Sequence, residues 1–88
     1  SKKLEGLILV PTRELAIQVK DELSLIGKFR EIRSVALYGG QAINRQLENL
    51  KKGANIVVAT PGRLMDHMER GTINLSDLKI VVLDGQAV

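Results

Sequence analysis

Two arginines in this chain sit where helix electrostatics do not favour them. Leu7-Ile8-Leu9-Val10 runs into Pro11-Thr12-Arg13-Glu14-Leu15-Ala16, and Ile56-Val57-Val58-Ala59 runs into Thr60-Pro61-Gly62-Arg63-Leu64. In both places an apolar β-run meets a proline, a threonine and an arginine at the start of a helical pattern. The first turn of a helix exposes unpaired N–H groups and a partial positive charge, so it prefers an acid to an arginine. Two arginines in matching contexts point to an anion between them, most simply phosphate, which a guanidinium grips with a bidentate fork.

Other residues near these junctions carry double readings. Thr12 and Thr60 either cap the following helix or turn hydroxyl and backbone N–H groups toward a phosphate oxygen. Glu14 is structural, easing the helix dipole or holding Arg63. Gly39-Gly40 after a strand is either a turn needing positive φ or a place where an extended backbone approaches closely, and Gly62 reads the same way. Asp84 ends an apolar run, where it caps the chain end or holds magnesium through water. His67 lies mid-helix with no cysteine or second histidine, which makes it a solvated or half-buried residue rather than a metal ligand. The chain has no G-x-x-x-x-G-K-[ST] loop and no G-x-G-x-x-G, no paired carboxylates spaced for acid–base work, and no nucleophile with a base close by. No catalytic residue is assigned.

The elements that must position these residues read as follows. Val/Ile/Leu-rich runs at 7–10, 34–38, 56–59 and 79–83 are continuous rather than alternating, which predicts strands covered on both faces of a parallel sheet. Helical patterns fill the gaps. Residues 13–26 carry Leu15, Val19, Leu23 and Ile26 on one stripe, with Gly27 as the stop. Residues 42–52 carry Ile43, Leu47 and Leu50, followed by Gly53. Residues 61–70 carry Leu64, Met65 and Met68, with Pro61 in the first turn and Gly71 after the last. Residues 71–78 form a loop. Alternating strands and helices imply an α/β fold, an open parallel sheet of about four strands with helices on both faces. Ligands of such sheets gather at the carboxyl ends of the strands. Pro11-Thr12-Arg13, Gly39-Gly40, Thr60-Pro61-Gly62-Arg63 and Asp84 all fall on that one rim.

Composition narrows the ligand. Eighty-eight residues, 44% hydrophobic and 26% charged, suit one small globular unit, residues 1–88. A net charge of +3 permits a polyanionic partner without demanding one. Phe29 and Tyr38 are the only aromatics, so stacking bases on aromatic platforms is not the binding mode. With no cysteine there are no disulfides, thiolate metal sites or cysteine nucleophile. No apolar run reaches membrane-span length and the N-terminus lacks a signal core, so the expectation is an intracellular protein, cytoplasmic or nuclear, with no membrane partner.

Taken together, P-T-R-E-L-A at 11–16, Y-G-G at 38–40, T-P-G-R at 60–63 and V-L-D at 82–84 resemble the DEAD-box RNA helicases. Order and spacing match the middle of that family's first RecA-like (P-loop NTPase) domain, over roughly residues 4 to 84. The resemblance implies contacts from Pro11, Thr12, Arg13, Gly39, Gly40, Thr60, Gly62 and Arg63 to the sugar-phosphate backbone of single-stranded RNA, with little sequence preference. It matches Asp84 to the family's magnesium-associated aspartate. It also implies ATP and magnesium as cofactors of the parent family. The family's phosphate loop lies upstream of the matched segment, and Gly85 stands where D-E-A-D has its glutamate. The expectation is therefore a partial RecA-like domain that binds RNA weakly, uses no cofactor of its own, and neither hydrolyses ATP nor unwinds RNA. An Ile80-Val81-Val82-Leu83 edge would also invite homodimerisation. The alternatives are an excised or engineered α/β folding fragment without retained activity, or a module that binds a protein along that edge.

Overall fold

The apolar runs pair because each is too short and too apolar to be stable except inside a sheet. The computed structural model describes residues 3–84. In chain order the elements are β1 (Gly6–Leu9), α1 (Arg13–Gly27), β2 (Ser34–Leu37), α2 (Ile43–Lys51), β3 (Ile56–Ala59), α3 (Pro61–Glu69) and β4 (Ile80–Leu83). The four strands form one parallel sheet in the order β2-β3-β1-β4. Gly6, Leu7, Ile8 and Leu9 stand opposite Ile56, Val57, Val58 and Ala59 on one side and Ile80, Val81, Val82 and Leu83 on the other. The expected strand limits hold to within a residue.

The pleat splits the core into two layers. On one face Val10, Ala16 and Val58 are buried with Leu15, Val19 and Leu23 of α1 packed over them. On the other, Leu7, Val35, Leu37, Val57 and Ala59 meet Leu50 of α2 and Leu64 of α3. Helices therefore cover both faces. Completely removing Leu37, Val57 and Val58 from water contributes about 1.5–3 kcal/mol for each side chain.

Three expectations need correction. β4 is not a covered strand: Ile80, Val81, Val82 and Leu83 are 62%, 56%, 42% and 61% exposed, at the edge of the described sheet with β1 as its strand neighbour. Ile26 is 59% exposed, since the stripe of α1 leaves the sheet after Leu23. In α3 the inward face is Leu64 and His67, whereas Met65 and Met68 point to solvent. Leu64 and His67 are three apart on one helical face, Met68 at i+4 from Leu64 falls at the edge of that face, and Met65 lies off it.

The glycines also sort by mechanism. Gly53 and Gly71 end α2 and α3 in the left-handed region, as a stop requires. Gly27 is instead the last residue of α1, where a Cβ would overlap the Ile32 carbonyl oxygen.

Candidate nucleic-acid interface

In a parallel sheet every strand ends on the same rim, so the three helices begin there together. Thr12 takes extended backbone angles and its hydroxyl accepts from the Leu15 N–H at 3.2 Å, which makes it the N-cap of α1. Thr60 occupies the same place before α3 but makes no side-chain capping bond, and Ala42 before α2 has no side chain to offer. Neither α2 nor α3 carries an acid in its first turn. Two helix starts on this rim thus retain N–H groups that no side chain satisfies.

The two arginines reach the same loop from opposite layers. Arg13 is about half exposed; its Nε stands 3.4 Å from Glu14 Oε2, and its Nη1 lies 2.9 Å from where a Cβ on Gly40 would be. The end of β1 is two strand places from β2, roughly 10 Å, so the Arg13 side chain spans the end of β3 to reach that loop. Arg63 is more enclosed, with 14% of its side chain accessible. Its Nη1 donates to the Gln41 carbonyl at 3.0 Å and to Gln46 Oε1 at 3.1 Å, and its Nε stands 3.5 Å from Asp66 Oδ2. The two guanidiniums, which the sequence presents as a matched pair, are therefore unlike: Arg13 faces outward and Arg63 inward. Arg63 is steadied by Gln46 and Asp66, and Glu14 pairs with Arg13, not with Arg63.

The remaining candidates lie on the same rim. Gly39 and Gly40 are exposed in the β2–α2 turn, and Gly40 has φ of 86°. Gly39 and Gly62 take ordinary φ, and a Cβ on either would meet nothing within 4 Å. Pro11 and Asp84 line a shallow hollow with Pro61 between the ends of β1, β3 and β4. The backbone N–H of Asp84 donates to the Leu9 carbonyl, which continues the β1–β4 ladder onto the rim. The residues after Asp84, including Gly85 where a glutamate was expected, lie outside the described segment. Magnesium needs several oxygen donors, and Asp84 is a single carboxylate with no cluster of three His, Cys, Asp or Glu residues among the described ones.

Beneath the loop lies a network that sequence reasoning missed. Gln46 is completely buried: its Nε2 donates to the Tyr38 carbonyl at 2.8 Å and to Gln41 Oε1 at 2.9 Å. Its Oε1 faces Arg63 Nη1 and, at 2.9 Å, His67 Nε2. His67 is also fully buried rather than solvated, with Nδ1 2.8 Å from Thr72 Oγ1. Burial, then the nearby Arg63 and Arg70 charges, hold its imidazole below the ordinary value of 6.5, with Asp66 opposing. The signal was present in the spacing: Gln46 falls three residues after Ile43 and His67 three after Leu64, each on an inward helical face.

A four-stranded parallel sheet with helices on both faces defines an open α/β domain. The family model for DEAD/DEAH box helicases matches residues 1–86. The chain is 51% identical over 83 residues to the DEAD-box ATP-dependent RNA helicase CshA of Bacillus cereus, covering 94% of this chain and 16% of that protein. It is 56% identical over 84 residues to the ATP-dependent RNA helicase DeaD of Haemophilus influenzae, covering 94% of this chain and 14% of that one. The crystal structure of the yeast DEAD-box splicing factor Prp28 superposes with a TM-score of 0.87 at 31% identity, over 93% of this chain and 19% of that chain. A hypothetical ATP-dependent RNA helicase from Sulfolobus tokodaii gives 0.84 at 39% identity, over 91% of this chain and 24% of that chain. This chain belongs to the DEAD/DEAH box helicase family. It spans a RecA-like portion of such a helicase, well under a quarter of the length of the curated relatives named here.

Proposed function

We propose that the rim of Pro11, Thr12, Arg13, Gly39, Gly40, Thr60, Gly62 and Arg63 binds the sugar-phosphate backbone of single-stranded RNA. The observation that carries this reading is the combination of an exposed Arg13 guanidinium laid beside Gly40 with two glycines, Gly39 and Gly62, whose missing Cβ the protein's own packing does not require. Open N–H groups at the starts of α2 and α3 add partial positive charge, each helix end favouring an anion by about 0.3–1 kcal/mol. With no aromatic among these residues, binding is directed to the backbone, weak and insensitive to sequence. ATP and magnesium serve the parent helicase, and the 88-residue chain alone neither hydrolyses ATP nor separates strands. Arg13 offers phosphate an exposed guanidinium, and Arg63 contributes to the rim while its bonds to Gln41 and Gln46 brace the loop beside it.

Fluorescence anisotropy with a labelled single-stranded RNA at low salt tests the assignment, with an unrelated polyanion as control. The parent chain binds, and replacing both Arg13 and Arg63 with alanine lowers affinity and flattens the salt dependence. A double variant that binds as well as the parent removes these residues from the site.

A second reading is favoured by one observation, the exposed β4 edge. In it the 79–83 strand pairs with a second copy of the chain, and the segment acts as a self-associating folding unit with no activity. Sedimentation separates the readings: a mass independent of concentration removes the dimer.

A further inference from the structure

We propose that His67 is a positioning residue for RNA binding: through Gln46 it holds Arg63 and the 38–41 loop in the one arrangement that presents Gly39, Gly40 and Arg13 on the rim. The inference rests on the RNA-backbone reading of that rim and adds to it a residue that touches no RNA.

The bonding pattern leaves one solution. The Tyr38 carbonyl can only accept, so the Gln46 nitrogen faces it and the Gln46 oxygen faces Arg63 and His67. That oxygen accepts, so His67 Nε2 carries a proton and donates. The four hydrogen-bonding positions of the Gln46 amide are then filled, two donors and two acceptors. His67 Nδ1 in the neutral ring accepts from the Thr72 hydroxyl, while the His67 carbonyl keeps the Thr72 N–H at 3.0 Å. Thr72, His67, Gln46, Arg63 and the Gln41 backbone thereby form one connected set, joining α3 and the segment after it to the β2–α2 loop. No buried side-chain nitrogen or oxygen among the described residues lacks a partner, so the set has no slack.

A proton on His67 is accommodated geometrically but not electrostatically. Nδ1–H would donate to Thr72 Oγ1, whose hydroxyl would turn to the His67 carbonyl at 3.0 Å. The charge would then face Arg63 across Gln46, with Arg70 also opposing and Asp66 favouring it, all on α3 or at its C-cap. The groups facing the ring from the other elements are neutral, the Gln46 amide of α2 and the Thr72 hydroxyl. Protonation therefore strains the Arg63 end of the set and loosens the loop.

The test compares His67→Leu, which removes the donor, with His67→Gln, which keeps a donor for Gln46 and cannot be protonated near neutral pH. Two readouts are taken on the 88-residue chain: NMR order parameters at Gly39, Gly40 and Gln41, and affinity for a single-stranded RNA. In His67→Leu the loop order parameters fall while those of β1 and β3 hold, and RNA affinity drops roughly tenfold, the equivalent of one lost hydrogen bond. His67→Gln restores both. For the parent chain, affinity weakens as pH is lowered from about 7.5 to about 5.5, a dependence His67→Gln lacks; an imidazolium acting directly on phosphate would strengthen binding instead. Unchanged loop order in His67→Leu overturns the proposal, as does tighter RNA binding at low pH that His67→Gln abolishes. If the parent chain binds no RNA, the RNA reading fails, and so does this residue's role in it, even where the loop loosens in His67→Leu.

Discussion

Whether a rim residue serves the fold or a ligand can be decided one side chain at a time. Thr12 and Thr60 look alike in sequence, yet only Thr12 completes a capping bond. Thr12→Ala costs about 1 kcal/mol in chemical denaturation, the usual worth of a cap, and Thr60→Ala costs clearly less. The glycines divide in the same way. Gly40 with φ of 86° and Gly27 against the Ile32 carbonyl are needed by the chain, so alanine at either destabilises it. Gly39→Ala and Gly62→Ala leave unfolding midpoints unchanged or slightly raised while weakening RNA binding, which anisotropy and a thermal melt report side by side. His67 adds a pH dependence whose sign is fixed. Its folded-state value lies below the ordinary 6.5, so the unfolded chain binds the extra proton first. Its contribution to stability is complete above about 6.5 and is lost as pH falls from there through the depressed folded value. Denaturation midpoints of parent and His67→Gln, measured across that window, show the parent alone losing stability from this source.

At the scale of elements, the strands and the order of helices were legible because apolar runs of four or five residues bounded by Pro, Gly and polar turns leave few alternatives. Pro61 at the first turn of α3 and Gly53 and Gly71 after α2 and α3 do what their types suggest. What was not legible turned on neighbours remote in sequence. Met65 and Met68 look like core residues until α3 is rotated by the bonds of His67 to Gln46 and Thr72. Arg63 looks like a twin of Arg13, but α3 lies on the opposite face from α1, over a buried glutamine that takes its charge inward. The rim was readable as a set because parallel strands share one end; the division of labour within it was not. Gln46→Leu tests the coupling of elements directly. It fits an inward apolar face yet strips partners from Arg63 and His67, and the expected loss in a denaturant titration is about 2–4 kcal/mol, above that of an ordinary surface change.

For the whole molecule, the uneven distribution of burial separates two kinds of surface. The carboxyl rim is polar and built from glycine-bearing turns, whereas β4 presents an exposed apolar strand at the edge of the described sheet. Val81→Lys, on an exposed strand, discourages edge pairing and moves any concentration-dependent mass toward monomer in sedimentation, without altering RNA affinity. The rim's claim is electrostatic and is tested by salt. Affinity of the parent chain and of Arg13→Ala for one single-stranded RNA, titrated over a range of salt concentrations, is the most direct measurement. Losing one phosphate contact lowers the slope of log affinity against log salt by roughly 0.7 for single strands, with weaker binding at every salt concentration. An Arg13→Ala chain with the parent's affinity and the parent's slope would contradict the assignment of this rim to RNA.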